Sequence, residues 1–349
     1  MIIRKIFNFG IIGTGQIAHI HYQALKNIHN ARLIAIQDIN LKTAMNFARK
    51  YKIKQYYKNY LDLLKNKKID VVIICTPHWT HEEIGINAAK FGKHVLIEKP
   101  LANTAKSAEN IINSCKKNNV KLGVIFQNRF SNRALKLKSY IQRGKLGKIV
   151  VANVLVNWHR TQEYYNNAPW RAFKSEAGGG VLMTQAIHFI DLLQWCIGQP
   201  ESVYAYTDVK THNIEVEDTA VAVLRFKSGI LGIIESTVST YPELPAQLCL
   251  YGSKGIAILE EHRGKIKLTI LPNNEEEKNY KIINYKKMFN GAIPKLQESL
   301  NHQKQIEDFI ESIYFNKKPE VDGREGIKSL KIIESIYRSS NRKEEVKLN

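Results

Sequence analysis

The chain has 349 residues, of which 44% are hydrophobic and 24% are charged, and its formal net charge is +20. This composition is typical of a soluble globular protein, and the length exceeds one ordinary core, so we expect two domains. No apolar run approaches the roughly eighteen residues that a membrane span needs, and residues 1–5 show no signal or transit peptide. We therefore predict a cytoplasmic protein with no membrane partner.

The positive charge is spread over the whole sequence. Lysine accompanies abundant Asn and Ile throughout, which favours a solvated, lysine-rich surface. A second interpretation is that the charge attracts an anionic cofactor and an anionic substrate. No nucleic-acid-binding motif accompanies it, so we expect no nucleic-acid partner.

The cysteines have no metal-binding spacing. Four of them lie far apart, at Cys75, Cys115, Cys196 and Cys249. The lack of a CxxC pair argues against a zinc site, and reduced thiols fit a cytosolic protein.

An apolar stretch near the N-terminus leads directly into a glycine turn. Residues 6–12 are short and β-rich, as expected for a buried parallel strand. Gly13 permits a tight turn, Gly15 lets the backbone approach a pyrophosphate, and Ala18 allows the next helix to pack closely. Phosphates bind well at such a helix N-terminus. The pattern predicts a dinucleotide site, with a plain glycine turn in another α/β domain as the alternative.

A second predicted strand ends in an acidic residue. It spans residues 32–37, and Asp38 follows twenty residues after Ala18. A carboxylate there accepts hydrogen bonds from the ribose hydroxyls and repels a 2′-phosphate. The spacing therefore indicates NAD as the cofactor.

Strands and helices alternate over the first 125 residues. Further strands are predicted at 69–75, 94–98 and 121–126, and helices at 81–91 and 104–118. This alternation with short connections predicts a doubly wound parallel sheet, the Rossmann arrangement, over residues 1–126.

The pattern changes from about residue 148. Predicted strands then follow at 149–158, 201–207, 219–226, 229–237, 246–251 and 255–260. Helices are predicted at 185–196, 302–315 and 324–339, and residues 275–278 are expected to form a solvated turn. We therefore predict a second, α+β domain over residues 127–349 with a mostly antiparallel sheet.

Two predicted strands end in residues that point at one crevice. Thr76 and Pro77 follow the third strand, whereas Glu98, Lys99 and Pro100 follow the fourth. Ligands of open α/β sheets bind outside the carboxyl ends of the strands, which places Lys99 beside the nicotinamide. The residue before a proline is held extended, and a cis Lys99–Pro100 bond is compatible with this placement. The alternative is a surface loop lysine.

These features together resemble the glucose–fructose oxidoreductase, inositol dehydrogenase and rhizopine-catabolism (Gfo/Idh/MocA) family. The resemblance extends over nearly the whole chain and depends on the glycine turn, the TP and EKP strand ends, and the following segments: residues 127–130, 178–180, 187–191 and 319–326. It implies a second domain with an open-faced sheet, through which family members assemble as homodimers or homotetramers.

In this family the EKP lysine and a histidine of the second domain flank the substrate hydroxyl, which implies catalytic roles for Lys99 and His188. Histidine suits proton acceptance near neutral pH, and a lysine cation stabilises charge that develops on the hydroxyl oxygen. The alternative for His188 is a core histidine. Many members carry an aspartate where this chain has Thr184, and threonine cannot act as a carboxylate base.

A cluster of arginines and aromatic residues lies between residues 157 and 171. Arg160 and Arg171 could bind phosphates or a carboxylate in bidentate fashion, while Tyr165 and Trp170 could cover a ring. The alternative is a long hairpin whose aromatic side chains fill the domain boundary. The segment resembles the branch of the family that oxidises UDP-N-acetylglucosaminuronate at C3.

The complete prediction assigns three sets of residues. The cofactor set is Gly13, Gly15, Gln16, Ile17, Ala18, Asp38, Thr76, Pro77, His81, Glu98, Lys99 and Gln127. The substrate set is Lys99, Arg160, Tyr165, Trp170, Arg171, Thr184, Gln185 and His188, with Lys99 and His188 catalytic. No metal is expected, because Glu217 and Asp218 lack further ligands at suitable spacing and Asp191 most often caps or pairs structurally. The remaining alternatives are a dehydrogenase of another sugar or cyclitol and a non-catalytic sensor of NAD or sugar.

Overall fold

The computed structural model describes residues 5–272 and 295–348. The predicted turn at 275–278 lies outside the described residues.

The N-terminal part forms a parallel six-stranded sheet. Its strands are β1 (Phe7–Ile12), β2 (Ala31–Gln37), β3 (Gln55–Tyr57), β4 (Val71–Ile74), β5 (His94–Ile97) and β6 (Leu122–Val124). Their order is β3-β2-β1-β4-β5-β6, and every neighbouring pair is parallel. The order reverses between β1 and β4, where doubly wound sheets bind ligands. The predicted Rossmann arrangement is confirmed.

Five helices connect these strands: α1 (Gln16–Lys26), α2 (Leu41–Tyr51), α3 (Tyr60–Leu64), α4 (His81–Lys90) and α5 (Ala105–Lys117). Side chains of Asn40, Asn59 and Thr104 cap the N-termini of α2, α3 and α5. In contrast, α1 begins after Gly15, which provides no side-chain cap. The first N–H groups of α1 therefore remain available to a ligand.

The C-terminal part is built on an eight-stranded mixed sheet. Its strands are β7 (Ile149–Asn157), β8 (Ser202–Asp208), β9 (Thr219–Arg225), β10 (Leu231–Thr237), β11 (Ala246–Gly252), β12 (Gly255–His262), β13 (Lys265–Pro272) and β14 (Val346–Lys347). The order is β13-β12-β11-β7-β10-β9-β8-β14. Only β7 and β10 pair in parallel, so the mostly antiparallel sheet that the sequence predicts is confirmed.

The C-terminal part also contains six helices within the described residues: α6 (Asn132–Gln142), α7 (Gln162–Asn166), α8 (Lys174–Ala177), α9 (Ile187–Ile197), α10 (Lys295–Tyr314) and α11 (Gly323–Arg342). Of these, α6, α9 and α11 pack on one face of the sheet. Along β9, Ala220, Ala222 and Leu224 are buried, whereas Val221 and Val223 point to the other face and are exposed. This alternation leaves an open face, in agreement with the family resemblance.

Three details differ from the sequence prediction. The strands β3, β13 and β14 were not predicted; β3 and β14 are only three and two residues long. A π-helical turn (Leu182–Ala186) precedes α9, where a helix was predicted to begin at residue 185. Within the described residues, Lys174–Ile197 is the one helical stretch long and apolar enough to cross a membrane, but most of it is buried as in a core helix.

A helix of the C-terminal part packs on the N-terminal sheet. Ile306, Phe309 and Ile310 of α10 are buried in the same cluster as Phe7 and Phe9 of β1. This helix also contacts α1. This helix therefore joins the C-terminal part of the chain to the first sheet through a shared apolar cluster.

Candidate active site

A large cleft opens at the carboxyl ends of β1, β2, β4 and β5. Its volume is about 1230 Å³, and residues of both parts of the chain line it. Ligand sites commonly measure roughly 300–1,000 Å³, so this cleft has room for a dinucleotide and a second molecule.

The glycine turn after β1 forms one wall of the cleft. Gly13 has a φ of +87°, and a side chain there would meet the Cys75 backbone at 2.9 Å. At Gly15 a side chain would meet nothing within 4 Å, because this position faces the cleft. Gln16 and Ile17 also line the cleft, whereas Ala18 is fully buried under the helix. Each position thus fits the predicted cofactor role, with Ala18 serving the helix packing.

Asp38 lies beyond β2 on the same wall. Its Oδ2 accepts hydrogen bonds from the Thr14 N–H (2.9 Å) and hydroxyl (2.8 Å), and its Oδ1 accepts one from the Asn40 N–H (2.9 Å). A carboxylate has about four acceptor positions, so Oδ1 can still accept a ribose hydroxyl. The fixed orientation of the carboxylate agrees with NAD as the cofactor.

Several residues at this end of the cleft were not predicted from the sequence. They line the space beyond Asp38 and comprise Ile39, Lys58, Asn59, Tyr60 and Asp62. Ile39 follows β2, whereas the other four come from the short segment around β3 and α3, which carries no motif.

Lys99 lies where the two parts of the chain meet. Its ammonium donates a hydrogen bond to the Thr184 carbonyl oxygen (2.7 Å), and the Lys99–Pro100 peptide bond is cis. Burial lowers the pKa of Lys99 to about 8, with a further contribution from the Arg171 charge, while the Glu98 carboxylate opposes the change. The lysine therefore stays a cation at neutral pH but loses its proton far more easily than an exposed lysine.

Glu98 is buried beneath Lys99 and does not stand free in the cleft. Its Oε1 accepts a hydrogen bond from His21 Nε2 at 2.7 Å. Burial raises the pKa of Glu98, but the hydrogen bond and charge of His21, then the charges of His302 and Lys99, outweigh it and lower the pKa. Glu98 is therefore an anion that stabilises the Lys99 cation.

His21, Glu98 and His302 also place possible ligand atoms within 4.8 Å of one another. The 2.7 Å contact between His21 and Glu98 is shorter than the roughly 3.3 Å between two ligands of a tetrahedral zinc ion. Hydrogen bonding thus accounts for this contact, and the absence of a metal stays a prediction.

His188 lies on the first turn of α9, is partly exposed, and is not among the residues that line the cleft. Its ring contacts Phe126 edge to face, with 6.1 Å between ring centroids. Its buried Nδ1 has no hydrogen-bond partner. Burial, then the charges of Lys99 and His302, holds the pKa of His188 well below its ordinary value. The ring is therefore neutral at pH 7 and able to accept a proton.

The π-helical turn before α9 explains how Thr184 serves the site. The Thr184 hydroxyl donates to the Gly180 carbonyl (2.8 Å), so it is occupied within the turn. The Thr184 carbonyl instead accepts the Lys99 ammonium. Single π-turns inside helices occur frequently at functional sites. The neighbouring Gln185 donates to the Tyr164 hydroxyl (3.1 Å) and lines the cleft.

The end of the cleft formed by the C-terminal part is aromatic and basic. The Arg171 guanidinium lies 4.3 Å from the centre of the Tyr164 ring, and the Trp170 ring lies 4.7 Å from His78. Trp79, on the loop after β4, is 6.1 Å from Trp170. All five side chains line the cleft, although His78, Trp79 and Tyr164 were not predicted as site residues. The cluster can hold a ring together with an anionic group.

Arg160 and Tyr165 are not among the residues that line the cleft, so their binding of the substrate stays a prediction. Arg160 donates to the His159 carbonyl and lies 3.5 Å from Glu243. Tyr165 is buried against His212. The Arg160 guanidinium lies 5.7 Å from the centre of the Tyr164 ring, so it stands behind a residue that lines the cleft.

His81 and Gln127 also lie outside the set that lines the cleft. The Gln127 side-chain oxygen is buried without a hydrogen-bond partner, directly after the β6 strand and Phe126. The cofactor contacts that the sequence predicts for His81 and Gln127 therefore stay predictions.

Three acidic residues of the C-terminal part have structural partners. Asp191 forms a buried two-bond ion pair with Arg129 (2.6 and 2.7 Å). Glu217 accepts the Gly180 N–H (2.8 Å) and the Tyr337 hydroxyl (2.8 Å). Asp218 accepts several backbone N–H groups in a turn. These contacts agree with the structural roles that the sequence favoured.

The site fits NAD through its Rossmann sheet, the open helix N-terminus behind Gly15 and the acid beyond β2. Lys99 adds a partly buried cation in the same cleft. The fold and site thus define an NAD-dependent oxidoreductase. Residues 7–126 match the family description "Oxidoreductase family, NAD-binding Rossmann fold", and residues 138–348 match its C-terminal alpha/beta domain. The chain belongs to the Gfo/Idh/MocA oxidoreductase family.

Two similar solved structures are WlbA dehydrogenases in complex with NADH and UDP-GlcNAcA. The Bordetella pertussis protein has a TM-score of 0.87 and 31% identity, covering 100% of this chain and 99% of that one. The Chromobacterium violaceum protein has a TM-score of 0.86 and 31% identity, covering 100% and 97%. A myo-inositol 2-dehydrogenase of Thermotoga maritima is 28% identical over 97% of this chain and 98% of its own length. The family thus includes dehydrogenases named for sugar and cyclitol substrates.

Proposed function

We propose that this enzyme oxidises a ring hydroxyl of a nucleotide-linked sugar acid, namely C3 of UDP-N-acetylglucosaminuronate. The observation that carries the proposal is one continuous cleft, with the Lys99 ammonium between the glycine turn and the arginine–aromatic cluster. The titles of the two WlbA structures, which name NADH and UDP-GlcNAcA, support the same substrate. Such a product would serve the synthesis of surface-polysaccharide precursors.

In the proposed reaction, bound NAD+ accepts a hydride from the sugar carbon as the hydroxyl loses its proton. His188 receives that proton, because its partly exposed ring is neutral at pH 7. Lys99 donates a hydrogen bond to the hydroxyl oxygen and stabilises the negative charge that develops there. The Lys99 ammonium has three N–H donors. It can therefore bind the hydroxyl oxygen and either keep its hydrogen bond to the Thr184 carbonyl or exchange that bond for the one to the substrate.

The arginine–aromatic cluster selects the substrate in this proposal. Arg171 binds the carboxylate or a phosphate, and the rings of Trp79 and Trp170 lie beside the sugar or the base. The net charge of +20 also favours the approach of an anion. A neutral cyclitol would leave Arg171 without an anionic partner.

A dehydrogenase of another sugar or cyclitol is the second candidate. The 28% identity to myo-inositol 2-dehydrogenase over nearly the whole chain favours it. It would use Lys99 and His188 in the same way, and the two candidates differ in what the Arg171 end of the cleft binds.

The first experiment measures reduced-nicotinamide absorbance after purified protein is mixed with NAD and UDP-N-acetylglucosaminuronate. A parallel sample contains 2-oxoglutarate, which would reoxidise cofactor that stays bound. UDP-N-acetylglucosamine is the matched control because it lacks only the carboxylate, and myo-inositol tests the second candidate. We expect turnover of the acid, loss of turnover in His188→Ala, and a KM at least tenfold higher in Arg171→Gln. Turnover of myo-inositol alone, or no reaction with NAD binding intact, would refute the proposed substrate.

We further propose a cytoplasmic homodimer or homotetramer that assembles through the open face of the second sheet. This face exposes Tyr206 (63%), Val221 (46%) and Val223 (54%). Apolar surface of this kind favours a protein contact. Light scattering after size exclusion gives the mass, and a monomer at micromolar concentration would refute this assembly.

A further inference from the structure

The buried ring of His81 connects the two loops that form the reactive end of the cleft. His81 begins α4 and is completely buried. Its Nε2 lies 2.9 Å from the Thr76 carbonyl oxygen, and its Nδ1 lies 3.0 Å from the Pro100 carbonyl oxygen. Thr76 follows β4 and Pro100 follows Lys99 after β5, so one side chain joins both loops.

Both partners of this ring are acceptors. A carbonyl oxygen cannot donate, so both contacts are hydrogen bonds only when each ring nitrogen carries a hydrogen. Burial is the larger influence and lowers the pKa of His81, although the carbonyls of Thr76, Pro100 and Leu101 and the Glu98 carboxylate oppose it. In its neutral form the ring donates a hydrogen bond to one of the two carbonyls and contacts the other. The His78 ring also lies close, with 6.0 Å between the ring centroids.

The position of His81 bears directly on Lys99. The Pro100 carbonyl that His81 holds belongs to the residue after Lys99, and the Lys99 ammonium reaches across the cleft to Thr184. The short loop after β5 is thus held at the Pro100 carbonyl by His81 and at the Lys99 ammonium by Thr184, which restricts where this ammonium can point. Displacements of about 1 Å at a reacting group can reduce rates by two orders of magnitude.

We propose that His81 is a positioning residue of the oxidoreductase site, which bridges the Thr76 and Pro100 carbonyls and thereby fixes the Lys99 ammonium in its buried place. His81 does not contact the substrate in this role. The inference rests on the proposed function only for the turnover measurement, because the place of Lys99 can be tested without a substrate.

The test compares the wild type with His81→Gln and with His94→Gln as the matched control. His94 is a histidine of the same sheet, at the opposite end of β5, where its Nδ1 accepts the Lys121 N–H (3.0 Å). Competitive acetylation of Lys99 over a range of pH, read by mass spectrometry, reports the pKa of this lysine in each protein.

We expect half-maximal Lys99 reactivity near pH 8 in the wild type and in His94→Gln. In His81→Gln the midpoint should rise by at least one pH unit, because a loosened loop lets water reach the ammonium. With a substrate that is turned over, kcat should fall tenfold or more while the KM for that substrate changes less than threefold.

An unchanged Lys99 midpoint in a folded His81→Gln protein would overturn the proposal. So would the absence of folded protein from both His81→Gln and His81→Asn, since the ring would then be a core requirement of the fold. Failure of the proposed substrate would instead appear as absent turnover in the wild type with the acetylation result intact.

Discussion

Replacing Lys99 by methionine should make the protein more stable and inactive. In the wild type, burial lowers the pKa of Lys99 from the ordinary 10.5 to about 8. This shift corresponds to roughly 3 kcal/mol of destabilisation of the folded protein, at ~1.4 kcal/mol per pH unit. Methionine has a similar length and carries no charge to bury. It loses the hydrogen bond to the Thr184 carbonyl, worth about 1 kcal/mol, so a net gain of about 2 kcal/mol in the free energy of unfolding is expected.

The size of this stabilising effect depends on pH. A lysine whose folded pKa is lowered costs stability fully below pH 8, where it is charged in both states. Between about pH 8 and 10.5 the folded protein binds fewer protons than the unfolded chain, so stability rises with pH. The advantage of Lys99→Met should therefore shrink over this interval.

Urea unfolding of the cofactor-free proteins at pH 7 and pH 10 measures both effects. Lys106→Met, on the exposed side of α5, is the control and should leave the free energy of unfolding unchanged at either pH. Turnover of Lys99→Met should fall by about 10²–10³ through loss of the charge at the hydroxyl oxygen. A variant less stable than the wild type at pH 7, or a gap that does not change with pH, would refute the reasoning.

Three further predictions concern the cofactor and the fold. Gly15→Ala should keep its thermal unfolding temperature but bind NAD at least tenfold more weakly in a fluorescence titration. Gly13→Ala should also lose roughly 1–3 kcal/mol of stability, because its φ is positive and the Cys75 backbone is close. Equal stability losses in the two variants would contradict the geometry. Asp38→Ser should raise the ratio of NADP to NAD affinity at least tenfold by calorimetry, and an unchanged ratio would show that the acid does not face the ribose. Arg129→Met should cost about 3–5 kcal/mol in urea unfolding, because Asp191 becomes a buried charge without its partner; a loss below 1 kcal/mol would refute this.

Local patterns in the sequence were sufficient for most of the fold. Five of the six strands of the first sheet were predicted, because buried parallel strands form continuous apolar runs that end at turns, as in β4 and β5. The strand β14 has two residues and gains its order from pairing with β8, far away in the sequence. Such a strand has no local signal, and it could not be predicted.

The site was predictable where backbone constraints select the residue, and less so elsewhere. Gly13, Gly15 and Asp38 line the cleft as expected, because a tight turn and a ribose each require a particular residue type. In contrast, Arg160 lies outside the cleft and Trp79 lies in it, and the sequence offers no signal for either. Which way an aromatic or arginine side chain points depends on tertiary packing.

The position of α10 has a consequence for the synthesis of the chain. A ribosome completes the six strands of the first sheet by residue 124, but the apolar face between β1 and α1 is covered only when Ile306, Phe309 and Ile310 emerge. During the intervening period Phe7 and Phe9 lack part of their native surroundings, and partially folded chains with exposed apolar surface are prone to aggregate. A fragment that ends at residue 126 would keep this defect permanently. The apolar surface of the nucleotide-binding half is thus covered only after α10, near the C-terminus of the chain, has been synthesised.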